Sequence, residues 1–263
     1  MFRRFLTCLL LCLTNVVWAE DPIHTGPIRV ALFVDAGVGG KGPEYLERAL
    51  DKEHGFQTQR VTAAEIRNGV LKDYALLIHP GGSGGGQAKT LGEEGREKEK
   101  TFVKAGGGYL GICAGAYLAS ADYDWSLHIL DAKVLDRQHW ARGSGEVKLA
   151  LNKEGRAVFA TEQEETAVLY HQGPLLAPGG KDDIADYEEL ATFATEIAQN
   201  GAPTGVMRGT TAMARGRFGE GRVFCISPHP EQDERYADTI RTIARWTARA
   251  AVAKPQEANA KQP

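Results

Sequence analysis

A cysteine stands at the centre of the run Gly108-Tyr109-Leu110-Gly111-Ile112-Cys113-Ala114-Gly115-Ala116-Tyr117. A short apolar stretch ends at the thiol, and small residues open a helix directly after it. A thiol at such a G-x-C-x-G junction is the cysteine form of a nucleophile elbow, the sharp turn that lifts a nucleophile above a sheet. The flanking glycines allow strand and helix to approach without a Cβ between them. A helix start behind the sulfur favours negative charge there. The alternative is an inert buried thiol on an Ala/Gly-rich helix start.

A base for that thiol is available near the other end of the chain. Residues 222–227 read as a buried strand that runs into Pro228-His229-Pro230-Glu231. Pro230 fixes its own φ and disfavours helix for His229, so an extended turn is expected. Residues two apart in an extended segment point to one side, which lets Glu231 orient the imidazole while His229 takes the Cys113 proton. Alone, H-P-E also fits a solvated loop. A third element is the run Pro80-Gly81-Gly82-Ser83-Gly84-Gly85-Gly86 after an apolar strand at 74–79. Bare backbone N–H groups in such a loop can hold an anion. Gly82 and Ala114 are the expected oxyanion donors, with Gly81 beside them. Gly84 to Gly86 fit a flexible linker equally well.

Together, PGG at 80–82, GICAGAY at 111–117 and SPHPE at 227–231 resemble the class I glutamine amidotransferase superfamily. The Tyr170-His171-Gln172-Gly173-Pro174 segment is similar to the subgroup of the biotin-protein ligase N-terminal domain. The likeness covers roughly residues 28–250. It implies Cys113 as nucleophile, His229 as base and Glu231 as its orienting partner. It also implies Tyr170, His171 and Gln172 near the nucleophile. Glutaminases of the superfamily usually carry Gln four residues after the Cys; here that position is Tyr117, which argues against free glutamine as substrate and makes Tyr117 a substrate-binding candidate.

The elements that must position these groups follow from the rest of the sequence. The chain has 263 residues and a formal charge of −3, with no basic stripe that would suit nucleic acid. Residues 1–19 combine Arg3 and Arg4, an apolar stretch and a Val17-x-Ala19 site, the pattern of a secretory signal peptide. The protein is therefore expected to be exported, periplasmic or secreted, with no membrane span once the signal is cleaved. Residues 28–250 form one domain, and 251–263 an Ala/Lys/Gln/Pro-rich disordered tail. Strands are expected at 28–34, 56–61, 74–79 and 109–112, with helices from Pro43 to about 54, from a Thr62–Glu65 capping box, and over 93–104. This alternation predicts a parallel sheet with the site beyond its strand ends. Strands at 132–135, 146–151, 168–170, 190–197, 204–207 and 211–218 suggest an antiparallel addition. Gly219-Glu220-Gly221 reads as a hairpin turn. A closing amphipathic helix over 232–250 has Tyr236, Ile240, Ile243 and Trp246 inward.

The fold class expected is thus α/β, a three-layer flavodoxin-like, amidotransferase-like domain with an added antiparallel portion. Its activity is expected to be hydrolysis of an amide or related acyl bond in a small or peptide-like substrate, without cofactor. A non-catalytic binding module and an amidotransferase subunit that needs a partner are the alternatives. The seven histidines lack ligand spacing, so no metal is expected. Asp35 and the glycines to Gly40 could bind a substrate anion but more simply form a plain βα turn, and the 138–143 segment with Trp140 and Arg142 either lines a pocket or forms a surface loop. Cys225 is read as a buried core thiol, with a Cys113–Cys225 disulfide as its rival.

Overall fold

Apolar runs buried on both faces make parallel strands, and alternating runs make strands with one wet face. Both kinds occur in the computed structural model, which describes residues 26–249. The segments 1–19 and 251–263 lie outside the described residues. The first half runs β1 (Ile28–Phe33), α1 (Gly42–Ala49), β2 (Phe56–Val61), α2 (Ala63–Arg67), β3 (Leu76–His79), α3 (Gly84–Lys104), β4 (Gly108–Ile112) and α4 (Ala114–Ala119). β5 (Ala132–Leu135), β6 (Ser144–Leu151), α5 (Lys153–Phe159), β7 (Glu165–His171), β8 (Leu175–Pro178) and β9 (Glu188–Phe193) follow. β10 (Thr211–Phe218), β11 (Gly221–Ile226) and α6 (Ala237–Thr247) complete the domain.

The strands join one sheet in the order β2-β1-β3-β4-β11-β10-β9-β6-β7, with β8 pairing β10 and β5 pairing β8. β2, β1, β3, β4 and β11 are mutually parallel, and the ladder turns antiparallel at β10. β3 and β4 are buried at every residue, whereas β6 alternates. The chain's last strand therefore lies beside the elbow strand, with Ile226 paired to Ile112. That register sets the segment after β11 against the segment after β4. On one face of the sheet, Leu110, Ile112, Phe224 and Ile226 pack with Leu46, Ile240 and Ile243. On the other, Tyr109, Val223 and Cys225 pack with Leu91 and Ala116. Among the described residues no helix is long and apolar enough to cross a membrane.

Several element boundaries differ from expectation for identifiable reasons. α1 stops at Ala49, because buried Leu50 takes non-helical φ/ψ and Asp51 then accepts from the His54 N–H at 3.0 Å. Gly84 to Gly86 are not a linker but open α3, with the Ser83 hydroxyl accepting from the Gly86 N–H at 3.0 Å. Residues 204–207 form turns rather than a strand. β9 ends at Phe193, where the Ala194 and Thr195 N–H groups turn to the Lys148 carbonyl. β8 and α5 are additions to the expected order; α5 begins where Asn152 accepts from the Gly155 N–H at 2.8 Å. Two single 3₁₀ turns, Pro230–Gln232 and Glu234–Tyr236, occupy the start of the expected last helix.

Candidate active site

β4 delivers Cys113 into a turn at φ 51 and ψ −98. A non-glycine residue held there stores on the order of 1–3 kcal/mol of strain and persists only where its surroundings enforce it. The enforcement is visible. The Cys113 N–H donates to the Ile226 carbonyl of β11 at 2.9 Å, and its carbonyl accepts from Ala116 and Tyr117 in α4. Strand and helix meet at the flanking glycines: a Cβ on Gly111 would lie 2.5 Å from the Gly115 backbone, and one on Gly115 2.2 Å from the His79 carbonyl oxygen. The Cys113→Gly variant is expected to unfold about 1 kcal/mol later than Cys113→Ala, since only the alanine keeps the strained Cβ. Urea titrations of the two variants measure this; equal stabilities would mean that the turn is unstrained.

β11 delivers His229 and Glu231. The backbone between them is a 3₁₀ turn with Pro230 in its first position, not the extended turn expected from the sequence. The two side chains still meet, His229 Nδ1 and Glu231 Oε1 being 2.7 Å apart with both residues buried. The His229 backbone N–H donates to the Leu169 carbonyl of β7 at 2.7 Å, which ties the backbone of the turn to β7. Burial alone pushes the imidazole pKa down. The Glu231 carboxylate and Cys113 outweigh it and hold the value well above the ordinary range. Nε2, the ring nitrogen turned away from Glu231, makes no bond of full hydrogen-bond geometry. Cys113 and Glu231 are the two groups whose charge the imidazole feels.

The loop after β3 closes the third side. Gly82 (φ 136) forms an isolated antiparallel bridge with Val38. The bonds flanking that bridge run from the Gly39 N–H to the Gly81 carbonyl (3.0 Å) and from the Ser83 N–H to the Gly37 carbonyl (2.8 Å). Neither uses the Gly82 N–H. Ala114 is the first residue of α4, where helical amides have no intrahelical acceptor. Beneath the loop, buried His79 contacts Gln87 (2.8 Å) and Glu99 (2.9 Å), and Gln87 Nε2 donates to the Pro80 carbonyl at 3.0 Å. At Gly81 a Cβ would lie 2.8 Å from His229 Cε1. Gly81→Ala is therefore expected to displace the imidazole and slow alkylation of Cys113 by about tenfold; an unchanged rate would mean that the ring has room to move.

Gly81, Gly82, Cys113 and His229 line a cavity of about 570 Å³, whereas Ala114 and Glu231 are not among its lining residues. Tyr117, His171 and Gln172 also line it. The Tyr117 hydroxyl donates to the Gln172 carbonyl at 3.2 Å, and the Cys113 thiol to the His171 carbonyl at 3.4 Å. The His171 ring contacts the Ser144 hydroxyl. Tyr170 does not reach the cavity. Its hydroxyl donates to the Gly173 carbonyl at 2.8 Å, and its ring meets Phe193 edge-on in the core. Within the 138–143 segment Trp140 lines the cavity, whereas Arg142 is buried and bonded to Asp136. Asp35 accepts from the Ala36 and Ala63 N–H groups, as a βα turn would have it. Cys225 is a free thiol, as is Cys113, so no disulfide joins them; burial pushes the Cys225 pKa up. Tyr123, Trp125 and Arg137, which sequence reasoning missed, complete one wall.

A parallel sheet carrying a cysteine elbow at one strand end and a His-Glu pair at the next is the architecture of a class I glutamine amidotransferase-like domain. The family "Biotin-protein ligase, N terminal" matches residues 44–139. A 64-residue stretch is 41% identical to the biotin–protein ligase of Schizosaccharomyces pombe, covering 24% of this chain but only 10% of the ligase. A 134-residue stretch is 35% identical to the pyridoxal 5'-phosphate synthase subunit PdxT of Natronomonas pharaonis, covering 49% of this chain and 67% of PdxT. The crystal structure of a putative ThuA-like protein from Parabacteroides merdae superposes with a TM-score of 0.56 at 15% identity, covering 87% of this chain and 92% of that one. The last likeness concerns fold alone. The chain belongs to the class I glutamine amidotransferase-like superfamily, and its residues 44–139 resemble the biotin-protein ligase N-terminal domain.

Proposed function

We propose that this protein is a cysteine-dependent hydrolase of an amide or related acyl bond. The observation that carries the reading is the strained Cys113 elbow sharing one cavity with His229, which Glu231 holds from behind. In the proposed reaction His229 takes the Cys113 proton and the sulfur attacks the substrate carbonyl. The Gly82 and Ala114 N–H groups stabilise the oxyanion, each such donor contributing about 3 kcal/mol. Collapse breaks the C–N bond, and the imidazolium gives its proton to the leaving amine. Water, deprotonated by His229, then attacks the thioester, releasing the carboxylic acid and the thiol. Export forms part of the proposal through the signal pattern at 1–19, and a secreted chain beginning at Glu20 is its expected mature form.

The test is amine release from a panel of carboxamides and aryl amides by the purified protein. Release by the native chain that disappears in Cys113→Ala supports the mechanism; release that persists in that variant overturns it. The likeness to PdxT, a synthase subunit by name, favours one second reading, an amidotransferase subunit. That reading expects ammonia from glutamine only when a partner protein is added.

A further inference from the structure

The aromatic residues that share the cavity with Cys113 restrict what can lie beside it. Tyr123 and Trp125 stack with ring centroids 4.5 Å apart and planes 20° from parallel. Tyr117 meets Tyr123 at 6.2 Å. Trp140 stands at the edge of the same cavity and is 56% exposed, one of two large hydrophobic side chains left open to solvent among the described residues. Arg137 and Trp125 cover the two faces of Tyr123, so the aromatic surface left for a flat ligand ring is that of Trp125 and the exposed Trp140.

The charges on that wall are one-sided. Among the described residues no aspartate or glutamate lines the cavity, and Arg137 is its one guanidinium or ammonium group. Arg137 lies over the Tyr123 ring, 4.1 Å from its centroid. Its contacts to Asp122 are long, 3.4 Å to the carbonyl and 3.7 Å to the carboxylate. Tyr123 and Asp122 take some of its five N–H donors, and the rest face a second carboxylate. A ligand ammonium, such as that of a free amino acid, would meet no carboxylate among the lining residues and would face Arg137.

From these two features we infer that the site takes acyl compounds bearing a flat aromatic ring with an anionic substituent. The ring lies against Trp125 and Trp140, with Tyr123 backing Trp125, and the anion pairs with Arg137. The inference rests on the reading of Cys113 as the nucleophile, and its test separates the two.

Four haloacetamides serve as probes: 2-chloroacetamide, its N-benzyl derivative, the 4-carboxybenzyl derivative and the 4-(aminomethyl)benzyl derivative. In each, the Cys113 sulfur forms a bond to the methylene carbon, chloride leaves, and His229 takes the thiol proton. Rates of Cys113 modification on the full-length protein are read by peptide mass spectrometry and divided by the rate with glutathione. The benzyl probe is expected to exceed 2-chloroacetamide by roughly tenfold, and the carboxylate to add roughly threefold more. The ammonium probe falls below the benzyl one. Trp125→Ala reduces the benzyl-to-parent ratio, and Arg137→Ala removes the carboxylate's advantage over benzyl. Equal normalised rates for all four probes, or an ammonium probe that reacts fastest, overturn the inference while leaving Cys113 a nucleophile. No modification of Cys113 by any probe, where glutathione reacts, overturns both.

Discussion

With His229 replaced by Ala, alkylation of Cys113 by iodoacetamide at pH 7 falls on the order of 10³-fold, the middle of the range for a positioned acid–base group. The argument is geometric first. Nδ1 of His229 is committed to Glu231 at 2.7 Å, which leaves Nε2 as the nitrogen that can take a proton. The imidazole feels the charge of Cys113, and its pKa is raised by Glu231 and by Cys113 against the effect of burial. An imidazole that gains affinity for a proton in this setting is a proton acceptor for the thiol beside it. Alanine removes the acceptor and leaves the elbow, whose geometry is held by β11 and α4. The internal control is Cys225, fully buried and with its pKa pushed up, which should stay unmodified in both proteins. Equal rates of Cys113 labelling in the native chain and the variant would remove His229 from the mechanism.

How far the sequence foretells this site depends on the residue. β2 occurs over the span its apolar and polar residues predict, and the Thr62–Glu65 capping box forms with both of its hydrogen bonds. Cys113, His229 and Gly82 were readable because each follows a short buried strand, and a parallel sheet gathers such strand ends at one edge. The His229–Glu231 contact survives an error about its backbone. Proline's fixed φ suits the first position of a helical turn as well as an extended segment, and His229 stays outside the turn at φ −118 and ψ 67, which lets its ring meet Glu231.

Other parts were less legible for physical reasons. Tyr170 and His171 are neighbours on β7, so the pleat sends them to opposite sides, Tyr170 into the core and His171 to the cavity. The resemblance grouped them, and period-two alternation separates them. Tyr123 and Trp125 sit in the irregular stretch after α4, where no periodicity marks an inward face. Their spacing of two, flanked by Asp122 and Asp124, was the available signal. Arg142, in a segment that fits either a pocket lining or a surface loop, is a buried partner of Asp136, a pairing between residues six apart that no local pattern announces.

Glu231→Gln is expected to lower stability by about 3 kcal/mol near pH 6, because it breaks a buried ion pair and leaves His229 without its carboxylate. The pH dependence distinguishes this from a mere loss of packing. An unfolded histidine titrates near ~6.5, and His229 in the native chain titrates above that. The folded state therefore binds the proton more tightly than the unfolded state. The resulting stabilisation is fully present below the unfolded pKa and is lost as pH rises through the raised native value. In the variant the carboxylate that raises the imidazole is gone, so this pH-linked portion shrinks. The gap between native and variant proteins should accordingly be widest at pH 6 and narrow towards pH 9. Urea unfolding at a series of pH values gives the two curves. Parallel curves, offset by a constant amount, would mean that Glu231 holds the turn by shape alone and does not keep a proton on His229. Convergent curves would identify the carboxylate as the group that sets the charge of the base, and the alkylation rate of Cys113 in Glu231→Gln should then fall between those of the native chain and His229→Ala.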